Sequence, residues 1–250
     1  MKKVLAMIAV ALVAGAANAT LLVSYNFFGA GATGPTGPTN GAPFSTQATG
    51  IASNNLTRGA GLGMGLSTNR FIATGWNTSD FTLDGAIASN DYFQGFVAAT
   101  SGNAVNLSNL QYRAIANNAN GPTNFVLKIS SVNTDAAFLT AWATTTKVLQ
   151  PVGTGSGLTL SFDLAGNGVT SGTVYYRIYG WRSTTVPSSN ASGILGMTST
   201  TVTTDGGLAG YGDGNQDFII QGTVVPEPAT IGMLGLGALC TLLMRRLRRS

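Results

Sequence analysis

The sequence predicts an all-β protein, an antiparallel β-sandwich of jelly-roll-like form, with a signal helix before it and a transmembrane helix after it. Three observations carry that expectation. Several segments alternate apolar and polar residues with period two, the pattern of a strand with one buried face. Charged residues make up 9% of the 250, against about 25% in ordinary soluble domains. Gly, Thr, Ser and Asn are abundant instead, which suits strands joined by turns better than helices. The two ends are apolar runs flanked by basic residues, unlike anything between them.

The elements follow in chain order. MKKVLAMIAVALVAGAANA has a positive front at Lys2 and Lys3, an apolar run from Val4 to Ala14, and the small-x-small pattern Ala17-Asn18-Ala19. These are the three parts of a secretory signal peptide, with cleavage expected after Ala19. The run is short of the ~20 residues a spanning helix needs. Residues 1–19 are therefore set apart, and residues 20–223 form the body. The body opens on the strand LLVSYNF. GAGATGPTGPTNGAPFSTQATG, residues 29–50, is a low-complexity loop whose Gly-Pro-Thr units keep no Gly-X-Y period, which excludes collagen. YFQGFVA is a strand. Leu110, Tyr112 and Ala114 then oppose Gln111 and Arg113. In FVLKISS, Phe125, Leu127 and Ile129 oppose Val126, Lys128 and Ser130. In GLTLSFDLA, Leu158, Leu160, Phe162 and Leu164 oppose Thr159, Ser161 and Asp163. TVYYRIYGW and DFIIQGTV complete seven clear strands, with three or four weaker ones expected beside them. Asn40-Gly41, Asp84-Gly85, Gly121-Pro122 and Asp205-Gly206 read as turns. A helical period shows only in NTDAAFLTAW. Sheets with one apolar face need a second sheet to cover it, hence a sandwich.

The charge balance excludes one function class. The formal charge is +4, which would ordinarily suggest nucleic acid as a partner. Lys2, Lys3, Arg245, Arg246, Arg248 and Arg249, against Glu227, place +5 of it on the two ends. Residues 20–224 hold seven basic side chains and eight Asp, a net −1. No basic patch is left for nucleic acid. The one cysteine, Cys240, lies in the C-terminal apolar run, so the body has no disulfide and stands on its core and backbone pairing.

Chemistry-bearing residues are sparse. There is no histidine, so the usual triad of nucleophilic catalysis cannot be built. Glycoside hydrolysis needs only two carboxylates, and Asp80 with Asp84, or Asp213 with Asp217, are the pairs on offer. Asp more often bonds local backbone amides at turns and strand ends. No catalytic residue and no cofactor is therefore expected, and the chain is read as a non-enzyme. Tyr211-Gly-Asp213-Gly-Asn215-Gln-Asp217 places oxygen ligands at alternating positions but lacks the Gly and distant Glu of an EF-hand, so Asp213, Asn215 and Asp217 make only a weak calcium candidate. TVYYRIYGW puts Tyr175, Arg177, Tyr179 and Trp181 on one face, a candidate sugar-binding face. The competing expectation is a core face on one side and a covered or solvated sheet face on the other, since Tyr and Trp favour strands in any case.

The C-terminal tail, residues 224–250, is the most informative stretch. Val225-Pro226-Glu227-Pro228 is held extended by its two prolines. Ala229 to Met244 follows without a charge, 16 residues that as a helix would reach ~24 Å. That is somewhat short of a hydrocarbon core of ~30 Å, a gap that bilayer thinning and snorkelling arginines can close. Arg245, Arg246, Arg248 and Arg249 come next, and positive charge stays on the cytoplasmic side. Together with an exported N-terminus, this expects a single span of the inner membrane with the body outside. Pro226-Glu227-Pro228, the apolar span and the terminal arginines together resemble the PEP-CTERM sorting signal. That resemblance implies recognition by an exosortase, a membrane protease, in a Gram-negative bacterium that makes exopolysaccharide. It implies cleavage near the Pro-Glu-Pro and release to the cell surface or extracellular matrix. The body more faintly resembles the predicted sandwich domains of other such proteins, at Arg58-Gly59-Ala60-Gly61-Leu62, Asn90-Asp91-Tyr92-Phe93 and Gly121-Pro122-Thr123-Asn124-Phe125. That second resemblance implies a fold and an address but no activity. The expected function is a non-catalytic surface or matrix protein associated with exopolysaccharide. The alternatives are a carbohydrate-binding module and, behind it, a polysaccharide-active enzyme.

Overall fold

The computed structural model describes residues 20–25, 27, 46–53, 55–64, 70–76, 81–100, 102–116, 121–148, 158–165, 169–182, 193–198 and 217–226, and single positions of the tail at 235, 237, 241, 244 and 245. Sixteen strands lie among them. The first eight are β1 (Thr20–Tyr25), β2 (Thr46–Gln47), β3 (Ile51–Ser53), β4 (Thr57–Arg58), β5 (Gly63–Met64), β6 (Arg70–Trp76), β7 (Tyr92–Ala99) and β8 (Asn103–Ala116). Then come β9 (Asn124–Ser130), β10 (Trp142–Ala143), β11 (Lys147–Val148), β12 (Leu158–Asp163), β13 (Val169–Ser171), β14 (Thr173–Trp181), β15 (Gly193–Thr198) and β16 (Phe218–Pro226). Two short helices interrupt them, α1 (Leu83–Ala88) and α2 (Asp135–Thr140).

The strands make two antiparallel sheets. One runs β2-β1-β16-β8-β15-β6-β5, with β12 and β13 also pairing β8; the other runs β10-β9-β14-β7-β3, with β11 on β9 and β4 on β7. One apolar cluster draws on both. Leu22, Tyr25, Leu110, Tyr112, Phe162, Phe218 and Ile220 from the first sheet meet Phe93, Val97, Phe125, Leu127, Tyr176 and Ile178 from the second. The rings interlock across the gap: Tyr176 stacks on Phe218 at 6.0 Å, Trp76 meets Phe93 edge-on at 5.4 Å, and the Tyr25 and Tyr176 hydroxyls bond at 3.3 Å. The inward residues are the alternate positions of each strand, so period two decides which atoms leave water. Each fully buried aromatic or aliphatic side chain contributes about 1.5–3 kcal/mol.

The second sheet is covered on its other face as well. Ala86, Ile87, Tyr92, Phe138 and Tyr179 form a smaller cluster beneath α1 and α2. Each helix starts where a Thr leaves extended backbone and its hydroxyl accepts an amide hydrogen three residues on, Thr82 from Gly85 and Thr134 from Ala137. An Asp follows in each first turn, Asp84 and Asp135, favourable beside the exposed amides.

Three sequence expectations change here. Asp84-Gly85 is not a turn between strands but part of α1, because the Thr82 cap satisfies the amides that a turn would have used. The loop read over residues 29–50 contains β2, whose Thr46 and Gln47 pair with Ser24 and Val23. The body does not stop at 223: β16 runs on through Val224 and Val225 to Pro226, pairing with Val105, Ala104 and Asn103 of β8. Proline ends the strand without cost, since a terminal position can do without its missing amide. Residues 1–19, the expected signal peptide, and most of the tail lie outside the described residues. Among the described residues no helix is long and apolar enough to cross a membrane.

Candidate functional site

The junction between body and tail is built by β16 lying between β1 and β8. Against β1, Phe218 faces Tyr25 and Gly222 faces Thr20; against β8, Phe218 faces Tyr112 and Pro226 faces Asn103. The register slips between Gln221 and Gly222, a bulge. Glycine is required there. A Cβ on Gly222 would stand 2.2 Å from the Asn106 carbonyl oxygen and 2.8 Å from Leu22 Cδ1. Beyond the bulge, residues 223–226 pair with β8, and among the described residues no strand lies opposite them on the β1 side. Val224 still packs against the core, half-buried. The Thr20 hydroxyl donates to the Gly222 carbonyl at 3.3 Å, pinning the first residue of the body beside the last strand.

Of the tail residues singled out in the sequence, Pro226 thus sits at the end of a sheet strand. Arg245 is helical and exposed, as are Gly235, Gly237, Thr241 and Met244, and the Thr241 hydroxyl donates to the Gly237 carbonyl at 2.8 Å, a one-turn contact. Glu227, Pro228, Arg246, Arg248 and Arg249 lie outside the described residues, as do Ala17 and Ala19.

The residues of the candidate sugar-binding face lie together on β14 and are buried or half-buried. Tyr175, Arg177, Tyr179 and Trp181 share the outer face of β14, while Val174, Tyr176 and Ile178 face the core. Tyr179 is fully buried and Arg177 nearly so; Tyr175 and Trp181 remain half-buried at the margins. The Arg177 guanidinium lies between two rings, 4.2 Å from the centre of Tyr92 and 4.2 Å from that of Phe138. It donates to Asp135 Oδ1 at 2.6 Å, to Asn133 Oδ1 at 3.2 Å and to the Tyr179 hydroxyl at 3.4 Å. Burial pulls its pKa down, but the bonds to Tyr179 and Asp135 outweigh that and raise it. Beside it in register, Lys128 donates to the Leu139 carbonyl at 2.8 Å, in the last turn of α2. Burial lowers the Lys128 pKa, with the Asp84 carboxylate opposing. Two cations therefore lie side by side on one sheet face, and both hold α2 down. The sequence offered the arginine but not its cage, since Tyr92 comes from β7, Asn133 from the turn before α2, and Asp135 and Phe138 from α2.

Of the paired acidic candidates, one member of each can be placed. Asp84 is exposed in the first turn of α1. Asp217 is fully buried, and its Oδ2 accepts the Phe27 amide at 2.7 Å while its own amide donates to the Tyr25 carbonyl at 2.9 Å. That is a backbone-capping role at the start of β16. Asp80, Asp213 and Asn215 lie outside the described residues, so only Asp217 of the calcium candidate can be placed. Among the described residues no group of three metal-ligating acids or cysteines comes together.

What remains is the tail, entered directly from β16. Residues 224–249 match the PEP-CTERM protein-sorting motif. The PEP-CTERM motif thus overlaps the last three residues of β16, and its first proline is a sheet residue. Such a signal implies an exported protein, carried as a membrane-anchored precursor in Gram-negative bacteria and sorted by exosortase, a membrane protease. No curated protein and no solved structure matches the chain.

Proposed function

We propose that the chain is a non-catalytic β-sandwich protein, jelly-roll-like, delivered by its PEP-CTERM tail to the cell surface or extracellular matrix, where it associates with exopolysaccharide. The observation that carries the reading is the sorting motif at 224–249 joined without a linker to the last strand of the body. In the precursor, residues 229–244 span the inner membrane once and Arg245, Arg246, Arg248 and Arg249 hold the cytoplasmic side. Processing by the exosortase-type protease then releases the body. Its low charge and its many hydroxyl and amide side chains suit a hydrated polysaccharide, where hydrogen bonds rather than ion pairs are exchanged with the surroundings.

The non-catalytic reading is supported by the lack of histidine in the chain and by the work its placed carboxylates already do. Asp217 caps backbone, Asp135 holds Arg177, and Asp84 sits in a helix turn. A carbohydrate-binding module would have to use the exposed edges of Tyr175 and Trp181, with Arg177 and Tyr179 committed to packing. The test of the delivery reading is expression in a host with an exosortase. The wild-type chain is expected to lose its tail and leave the membrane fraction, while Glu227→Ala accumulates as the longer membrane-bound form. Equal processing of both chains, or of neither, overturns the reading.

A further inference from the structure

The register of β1 and β16 brings both membrane-directed ends of the chain to one end of the body. Thr20, the first residue after the expected signal cleavage, faces Gly222, and four residues later Pro226 leaves the sheet opposite Asn103. The turns at that end are Thr49-Gly50, Thr100 to Gly102 and Gly172. They are tied together: the Thr100 amide donates to the Gly50 carbonyl at 2.9 Å, the Asn103 amide to the Thr100 carbonyl at 3.1 Å, and the Ala99 amide to the Gly172 carbonyl at 3.2 Å. Gly50 lies against Val224 and Asn103, so these turns and the end of β16 form one surface.

Among the described residues that surface carries no charged side chain. Residues 20–25, 46–53, 98–107, 169–174 and 220–226 contain no Asp, Glu, Lys or Arg. Among the described residues the charged side chains lie further up, some part-way along the sheets, such as Lys128, Arg177 and Asp163, and others at the far end: Arg58 opposite Phe93, Asp91 before β7, Arg182 after β14, and Arg113 next to Asp217.

Distance then decides what this end meets. Only Glu227 and Pro228 separate Pro226 from the apolar run at Ala229. Three Cα steps cover at most about 10 Å, and the headgroup layer on one side of a bilayer is about 5–8 Å deep. We propose that in the precursor this end of the body rests on the outer surface of the bilayer, with the other end pointing away. The proposal rests on the reading that residues 229–244 insert in the membrane. A phospholipid headgroup layer suits such a face: its hydroxyls and amides bond to phosphate and glycerol oxygens, and the charges expected beside it are only Glu227 of the tail and the Thr20 ammonium left by signal cleavage, which offset each other.

The test uses the full chain reconstituted in vesicles of phosphatidylethanolamine and phosphatidylglycerol. The native Cys240, labelled with a fluorophore, reports insertion through quenching by a nitroxide on the lipid tails. In a Cys240→Ser background, Thr49→Cys and Thr100→Cys place the label on the proposed face, and Ala60→Cys places it at the far end; all three positions are exposed. Circular dichroism confirms that each variant keeps its strands. A headgroup nitroxide is expected to quench labels at 49 and 100 about twofold or more beyond one at 60, since the face lies within about 10 Å of the headgroups. Equal quenching at the three positions, with Cys240 buried in the tails, overturns the docked orientation and leaves the span intact. A Cys240 label untouched by the tail nitroxide overturns the span and the orientation together.

Discussion

Arg177 shows how one side chain can decide whether a surface is a site or a scaffold. Its guanidinium is caged by Tyr92 and Phe138 and bonded to Asp135, Asn133 and Tyr179, so it spends its donors on holding α2 against the sheet. Cation–π contact in a desolvated place contributes about 1–2 kcal/mol per ring, and the arginine stem adds packing. Arg177→Ala is therefore expected to lower unfolding stability by about 3 kcal/mol, and Arg177→Lys to restore little of it, because a point charge cannot stack between two rings. Asp135 is largely exposed, its side chain 64% accessible, and solvent screens its half of the pair. Asp135→Ala is expected to cost only about 0.5–1 kcal/mol. Urea denaturation of the three variants checks this, and equal losses for Ala at 135 and 177 would contradict the cage.

Among elements, β16 carries the argument. It lies between two neighbours in its sheet, supplies Phe218 to a cluster of three tyrosine rings, and turns into the sorting motif within nine residues. Its bulge depends on Gly222, where a Cβ would press on the Asn106 carbonyl. Gly222→Ala is expected to destabilise the body by about 1–3 kcal/mol. It should also raise hydrogen exchange at 223–225 more than at 218–220, since among the described residues only the former have a strand on one side alone. Uniform exchange along β16 would contradict that. The core strands were legible because alternation is a strong signal: TVYYRIYGW predicts both faces of β14 and its bounds. α1 was not, since Asp84-Gly85 has the chemistry of a turn and the deciding cap belongs to Thr82. RFIATGW and GILGMT become β6 and β15 through pairing with each other, and neither alternates well alone. The end of β16 was hidden by Pro226, which in sequence marks a boundary and in the sheet merely marks the last rung. For the Tyr175–Trp181 face the sequence left a covered and a solvated sheet face both open, because the outcome depends on where α2 docks.

For the whole molecule, the titration behaviour follows from composition and burial. With no histidine, no side chain has an ordinary pKa between about 5 and 8. Burial raises the hydroxyl pKa of Tyr25, Tyr92, Tyr112, Tyr176 and Tyr179, most strongly for Tyr112 and Tyr176. The unfolded chain then gives up these protons first, so their stabilisation is complete below pH 10 and is lost as pH rises above it. Arg58, pushed down to about 10 by burial, has the opposite sign, as do Lys128 and Arg113. The tyrosines are more numerous and more deeply buried. The denaturation midpoint is expected to be level from pH 5 to 9 and to fall between pH 10 and 12; a midpoint rising through that upper range would contradict the burial of the hydroxyls. The central claim concerns fate, not stability: the body is exported, and its tail is cut away at the end of β16. The most direct measurement is the intact mass of the protein recovered from the cell surface or medium of a producing cell. The account predicts a chain that begins at Thr20 and ends close to Pro226-Glu227-Pro228. A mass that still includes residues 229–250 would contradict it.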